Sequence, residues 1–328
     1  MLTENEIQKI LSVVILPSGK RLPDSKMVSS IVLKDQAIGF VLNCTEEDFP
    51  FALELKEKCH KLLKEALKID QISIVLTSGH DFDEKNYPLS KGLIKFKPLG
   101  VKKIIWVVSC KGGVGKSTIT YLLAKELNAA GIKVGVLDAD IYGPSMPKLF
   151  GKEEEITVKD NMICPFDVAG IEFVSLGNII DADKAGIWRG PMVSKNIYQL
   201  LFKTNWHDRA ILLVDMPPGT GDVALSLAET GKIDGAIMIT TPSELAVIDN
   251  IRTIDMLEKL DIPLLGIVEN MSYLKIGEII SRPFGAGGGE KLSKISSCSN
   301  LFTLPVEEDI TNSKKQHLLS LAKIIINI

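Results

Sequence analysis

The apolar run Ile104-Ile-Trp-Val-Val-Ser109 leads into Cys110-Lys111-Gly112-Gly113-Val114-Gly115-Lys116-Ser117-Thr118, where a helix-length segment begins. A strand, a glycine-rich turn and a helix in that order are what a phosphate-binding loop requires. With no side chain at 112, 113 and 115, successive backbone N–H groups can converge on anionic oxygens, and the helix N-terminus adds a partial positive charge. Lys116 then reaches the β- and γ-phosphates and Ser117 ligates Mg²⁺. Gly112, Gly113, Val114, Gly115, Lys116, Ser117 and Thr118 are therefore the expected nucleotide-binding set. The strict pattern has glycine where Cys110 stands, a departure that an ordinary extended backbone at that position accommodates.

Two other apolar runs end in carboxylates. Val134-Gly-Val-Leu-Asp138 is followed by Ala139 and Asp140, and Ile211-Leu-Leu-Val-Asp215 by Met-Pro-Pro-Gly-Thr-Gly-Asp222. An aspartate at the end of a buried strand suits the outer shell of a magnesium ion held by Ser117 and phosphate oxygens, which makes Asp215 a candidate metal residue. After it, Pro217 and Pro218 restrict the backbone while Gly219 and Gly221 free it, so this loop can take two discrete states and sense a γ-phosphate. His80 and His207 have no partner at metal-ligand spacing.

The elements that must hold these residues are legible as alternating apolar runs and helix-length segments. Strands are expected at Ile104–Ser109, Val134–Asp138, Ile171–Leu176, Ala210–Asp215, Ala236–Thr240 and Leu264–Glu269. Continuous apolar strands separated by helices predict an α/β fold, a mostly parallel sheet covered by helices on both faces, with its ligand beyond the carboxyl ends of the strands. Ahead of it, two β-branched runs in 28–43, a helical pattern in Leu53–Leu67 and a strand in Ile72–Thr77 predict a small α+β domain. The expected organisation is residues 1–80, a linker of Gly, Pro and charge at 81–102, and a nucleotide-binding domain at 103–328.

The chain has 328 residues, enough for two domains, with 38 basic against 41 acidic residues and a net charge of -3. That balance gives no overall attraction to nucleic acid or anionic lipid. The five cysteines, at 44, 59, 110, 164 and 298, form neither a CxxC pair nor a disulfide ladder, which suits a reducing, cytoplasmic compartment. The start MLTENEIQKILSVV is acidic where a signal peptide is basic, and no apolar run reaches the roughly 18 residues of a membrane span. Neither nucleic-acid binding nor stable membrane insertion is expected.

Lys111, at the start of the loop, makes this stretch resemble the deviant Walker A ATPases of the MinD, ParA and nitrogenase iron-protein group, whose extra lysine crosses a dimer interface to the partner's nucleotide. Three longer motifs narrow the resemblance: Asp138-Ala-Asp140-Ile-Tyr-Gly-Pro-Ser-Met-Pro-Lys, Trp188-Arg-Gly-Pro-Met-Val-Ser-Lys and Asp215-Met-Pro-Pro-Gly-Thr-Gly-Asp222. In that order and spacing they resemble the Mrp/ApbC family of iron-sulfur cluster carrier ATPases, from about residue 103 to Glu290. The N-terminal unit resembles the small domain that precedes the ATPase in many bacterial members. The resemblance implies a P-loop NTPase fold, a homodimer, ATP and Mg²⁺, a transferable 4Fe-4S cluster and apoprotein clients. It also implies catalytic roles for Lys111, Lys116 and Asp140, with Asp140 orienting the attacking water and Asp138 supporting the metal beside Ser117 and Asp215. Asn270, at the end of LLGIVEN, matches the position where related ATPases recognise adenine. A buried asparagine satisfying loop backbone is the other reading of it.

The sequence departs from the family where the metal chemistry should be. Family members carry a CxxC pair after ENMSY, whereas here Ile276 and Ile279 occupy that spacing, and the N-terminal Thr-x-x-x-Cys-Pro pattern appears as Thr45-Glu-Glu-Asp-Phe49-Pro50. Isoleucine offers no donor to iron. A cluster, if held, would draw on Cys298 from each subunit and be labile; Cys298 and Cys110 otherwise read as ordinary thiols, although a helix N-terminus would favour the Cys110 thiolate. The alternative function is a MinD/ParA-like positioning or partitioning ATPase. It draws on the C-terminal segment from Asn312, which combines basic residues with an apolar face and reads more simply as a helix docked on the sheet.

Overall fold

The computed structural model describes residues 3–34, 37–44, 49–69, 71–77, 97–140, 143–159, 162–179, 190–306 and 315–327. The chain divides into two compact units, Met1–Leu99 and Gly100–Ile328. Most of the segment 81–102 read as a linker lies outside the described residues.

In the first unit, α1 (Glu4–Leu11) is followed by β1 (Val28–Lys34), β2 (Ala37–Asn43), α2 (Phe49–Leu67) and β3 (Gln71–Thr77). Glu6 accepts the Thr3 backbone N–H at 2.8 Å, which caps α1. The β1–β2 pair is antiparallel, and α2 carries the chain back so that β3 runs parallel to β2. Phe40 and Leu42 of the sheet bury against Ile7 and Leu11 of α1 and Cys59 and Leu63 of α2, giving this unit a core of its own.

The second unit contains β4 (Val101–Val108), α3 (Lys116–Ala129), β5 (Val134–Asp138), α4 (Met146–Phe150), β6 (Thr157–Lys159), β7 (Met162–Cys164), β8 (Phe166–Val168) and β9 (Ile171–Ser175). After these come α5 (Gly190–Phe202), β10 (Arg209–Asp215), α6 (Asp222–Thr230), β11 (Gly235–Thr240), α7 (Glu244–Lys259) and β12 (Leu264–Glu269). The chain closes with β13 (Leu274–Ile276), β14 (Ile279–Ser281), α8 (Gly288–Ser296), β15 (Leu301–Thr303) and α9 (Lys315–Ile326). Among the described residues the main sheet runs β15-β12-β11-β4-β10-β5-β9-β8. Every neighbouring pair is parallel except the edge pair β8–β9. The strand β4, expected from its apolar run, lies at the centre, with Trp106 and Val107 fully buried.

Helix α3 lays Ile119, Leu123 and Leu127 on the sheet, and Leu318, Leu321, Ala322 and Ile325 of α9 join the same core. The apolar face of the C-terminal segment is thus buried in the fold. Two hairpins, β6–β7 and β13–β14, stand apart from the main sheet. Among the described residues no helix is long and apolar enough to cross a membrane.

Candidate nucleotide-binding site

The parallel register places the acidic residues. Asp215 of β10 is the direct neighbour of Asp138 of β5, and Asp138 is in turn opposite Ser175 of β9. Both aspartates are fully buried at the carboxyl ends of their strands. Two carboxylates side by side in a dry site repel, and each needs donors. Asp138 accepts from the Ser175 hydroxyl at 2.9 Å and from the N–H groups of Asp140 and Met146 at 3.1 and 3.2 Å. Even so, burial first and the Asp215 charge second push its carboxyl up to about 7.

The phosphate-binding loop closes onto Asp215. Lys116 Nζ lies 2.7 Å from Asp215 Oδ1, Ser117 donates to Oδ2 at 2.5 Å and Thr120 to Oδ1 at 3.1 Å. Asp140 also sits nearby, its Oδ2 4.0 Å from Lys116 Nζ. The loop backbone needs its glycines: Gly113 and Gly115 have φ of +80° and +88°, the left-handed region where a side chain is strained. A cavity of about 350 Å³ opens above the loop, lined by Lys111, Gly112, Gly113, Gly115, Lys116, Ser117, Thr118 and Asp140. Gly143, Ser145 and Pro218 complete its wall. The proline-glycine loop after β10 is tied to the end of β4 by the Gly219 N–H, which donates to the Ser109 carbonyl at 2.9 Å.

Lys111 pairs within its own chain, 3.1 Å from Asp249 on α7, with both side chains partly exposed. Asn270 is buried, and its side-chain amide donates to the Val114 carbonyl at 2.9 Å. A Cβ on Gly115 would collide with that amide. The structure therefore places Gly112, Gly113, Gly115, Lys116, Ser117, Thr118 and Asp140 around one cavity and Asp138 and Asp215 side by side at the strand ends, with Asn270 bonded to the loop backbone at Val114. Thr120, Ser175, Asp249 and Asn250, whose side chain accepts the Cys110 N–H at 3.0 Å, were not legible as site residues. Thr120 is one helical turn past Lys116, a spacing that signals the same helix face. The other three come from elements distant in sequence and carry no local signal.

The remaining sulfur and metal expectations resolve differently. None of the five cysteines is in a disulfide. Cys298 is buried, and burial raises its thiol pKa, so it is not presented for bridging two subunits. Burial also raises the Cys110 thiol, and α3 begins only at Lys116. Cys59 is fully buried and pushed up to about 12. Among the described residues no group of three or more His, Cys, Asp or Glu is arranged to hold a metal ion. Ile276 and Ile279 face each other across the β13–β14 hairpin. His207 bonds the buried Glu172 at 2.7 Å. His80, residues 45–48, Trp188–Arg189 and residues 312–314 lie outside the described residues.

Residues 100–323 match the family model for ParA, described as the NUBPL iron-transfer P-loop NTPase. The iron-sulfur cluster carrier protein of Rickettsia felis is 40% identical over 312 residues, covering 95% of this chain and 93% of the relative. The protein of the same name from Synechocystis is 36% identical over 317 residues, covering 94% and 88%. Among solved structures, a nucleotide-binding protein in complex with ADP from Archaeoglobus fulgidus is 33% identical with a TM-score of 0.56, covering 69% of this chain and 88% of that one.

Proposed function

The chain belongs to the iron-sulfur cluster carrier family of ParA-type P-loop NTPases, and from that premise we propose that it binds and hydrolyses ATP with Mg²⁺ and, as a cytoplasmic homodimer, uses turnover to assist iron-sulfur cluster delivery to apoprotein clients. The observation that carries the reading is the convergence of Lys116, Ser117 and Thr120 on the buried Asp215, with Asp140 4.0 Å from Lys116.

The residues fit a divalent cation. Ser117 already touches Asp215, Asp138 stands beside it in register, and the repulsion between the two carboxylates is what a cation relieves. Ser117, Asp138 and Asp215 would hold it, directly or through water. When bound, Mg²⁺ supplies charge neutralisation to the β- and γ-phosphate oxygens. Without nucleotide, Lys116 takes Asp215 as its counter-ion; a polyphosphate in the cavity offers it a stronger one. In hydrolysis, water oxygen forms the new bond to γ-phosphorus as the bond to the β,γ-bridging oxygen breaks. Asp140, lining the cavity beside Lys116, orients that water. Lys111 can serve a second subunit's nucleotide once it leaves Asp249. A partly exposed pair of this kind is worth about 1 kcal/mol or less, so phosphate oxygens can outcompete it.

The cluster is cargo, and the β13–β14 hairpin offers it no donors: Ile276 and Ile279 are 61% and 70% exposed and carry no thiolate. The favoured form of the function is therefore a nucleotide-switched scaffold in cluster assembly. Anaerobic reconstitution followed by iron and sulfide analysis tests it. The expected result is substoichiometric iron on the native chain and increased iron on the Ile276→Cys/Ile279→Cys variant. A stable stoichiometric cluster on the native chain would contradict the scaffold form.

A further inference from the structure

Ser175 closes β9, fully buried and opposite Asp138 in register, and its hydroxyl donates to Asp138 Oδ2 at 2.9 Å. That hydroxyl is itself held from behind. The Gly177 N–H donates to the Ser175 oxygen at 3.0 Å and so turns its one proton toward the carboxylate. Asp138 in turn spans the loop that follows β5. Its Oδ1 accepts the Asp140 N–H at 3.1 Å, and its Oδ2 accepts the Met146 N–H at 3.2 Å where α4 begins. Between those two bonds stand Gly143 and Ser145, which with Asp140 line the cavity over the phosphate-binding loop. The turn after β9 (Leu176–Asn178) holds the same segment at further points. A Cβ on Gly177 would come within 2.8 Å of Pro144 Cβ, so the backbone here packs directly on the loop. Past α4, the Asn178 side-chain amide donates to the carbonyls of Lys152 and Glu154 at 3.0 and 2.8 Å.

We propose that Ser175 is a positioning residue for ATP hydrolysis: it fixes the Asp138 carboxylate, and through it the loop that carries Asp140, in the orientation that receives metal and nucleotide. This rests on the ATPase reading above. With no exposed surface, Ser175 cannot touch a ligand and acts only through what it bonds. The last torsion of an aspartate is soft, so a carboxylate keeps one orientation only where donors pin it. The need is acute here, because Asp138 is buried directly beside Asp215 in register. Without the hydroxyl, Oδ2 would keep only the longer bond from Met146. A buried serine often satisfies nothing more than nearby backbone. In this chain its proton goes to a strand-end carboxylate of the site, and the turn behind it grips the segment on both sides of α4. Bonds that orient a metal-side carboxylate in this way are typically worth about 10- to 100-fold in metal affinity or activity.

The test compares Ser175→Ala with Ser175→Thr, which keeps the hydroxyl and suits the extended backbone there, and with Ser175→Cys, which keeps the size but is a weak donor. Mn²⁺ is titrated into the full chain saturated with a non-hydrolysable ATP analogue and followed by electron paramagnetic resonance, while phosphate release gives kcat and KM separately. Ser175→Ala and Ser175→Cys are expected to weaken Mn²⁺ binding and to lower kcat, each by roughly 10- to 100-fold. Analogue affinity measured by calorimetry in the presence of a chelator should stay within about twofold of native, and Ser175→Thr should recover most of both losses. In an Asp138→Ala background, Ser175→Ala should add little to the loss of Mn²⁺ affinity, because the hydroxyl acts through that carboxylate. Native Mn²⁺ affinity and kcat in Ser175→Ala or Ser175→Cys would overturn the proposal. An equal loss in the Asp138→Ala background would overturn it too, as the mark of a merely structural role. Either result, with a native chain that hydrolyses ATP, leaves the ATPase reading standing; a native chain that binds neither analogue nor Mn²⁺ overturns both.

Discussion

Lys116 is buried at 6% exposure between two carboxylates, and its charge is what makes the Asp215 end of the sheet tolerable. Lys116→Ala removes a charge-assisted contact of about 1.5–3 kcal/mol to phosphate, so ATP binding is expected to weaken roughly 10- to 150-fold by calorimetry. Unchanged affinity would refute the loop assignment. Asp140→Ala should behave differently, retaining affinity while losing turnover by roughly 10²- to 10⁴-fold, because a water-orienting carboxylate acts on the transition state. Lys111→Ala should likewise keep binding and lose hydrolysis, as its counter-ion is Asp249 and not a ground-state phosphate contact. Wild-type rates in both would remove those roles. Asp138 supplies a pH signature. Its folded pKa of about 7 lies above the unfolded value, so the folded state holds the extra proton between about 4 and 7. In metal-free protein this group's contribution to stability is complete below about pH 4 and lost as pH rises through about 7. Asp138→Asn is expected to flatten that part of the melting-temperature profile; an unaltered slope would mean the carboxylate is ionised throughout.

At the scale of elements, the strands that carry the site were readable because each is a continuous apolar run, and because a glycine-rich turn or an aspartate marks its carboxyl end. Asp215 and Asp138 were thus found singly, but their adjacency depends on the strand order β10-β5, which no local pattern encodes. The hairpins β6–β7 and β13–β14 are not legible in the sequence because three-residue strands carry too little periodicity, nor is α1, whose buried apolar stripe is a single pair, Ile7 and Leu11. The C-terminal helix α9 shows how one amphipathic pattern supports two readings. Membrane attachment and docking both need an apolar face; here Leu321 is fully buried with α3 and the sheet. Leu321→Ala is therefore expected to cost about 2–5 kcal/mol of unfolding free energy, read by denaturant titration. A variant as stable as the native chain would show that this face is not part of the core.

At the scale of the whole molecule, a large α/β unit holds a nucleotide loop, two strand-end carboxylates and an apolar hairpin on one connected set of elements, and a separate small unit has its own core. Sequence carried the loop chemistry, the family likeness and the backbone-satisfying alternative for Asn270, while the ion pair that occupies Lys111 emerges only from packing. The proposed turnover of ATP is what would unite these parts, and phosphate release from the purified full chain measures it directly. With ATP and Mg²⁺ the native chain should release phosphate, and chelation of the metal or Lys116→Ala should abolish it. Native chain that binds ATP in the presence of Mg²⁺ yet releases phosphate no faster than Lys116→Ala would contradict the account.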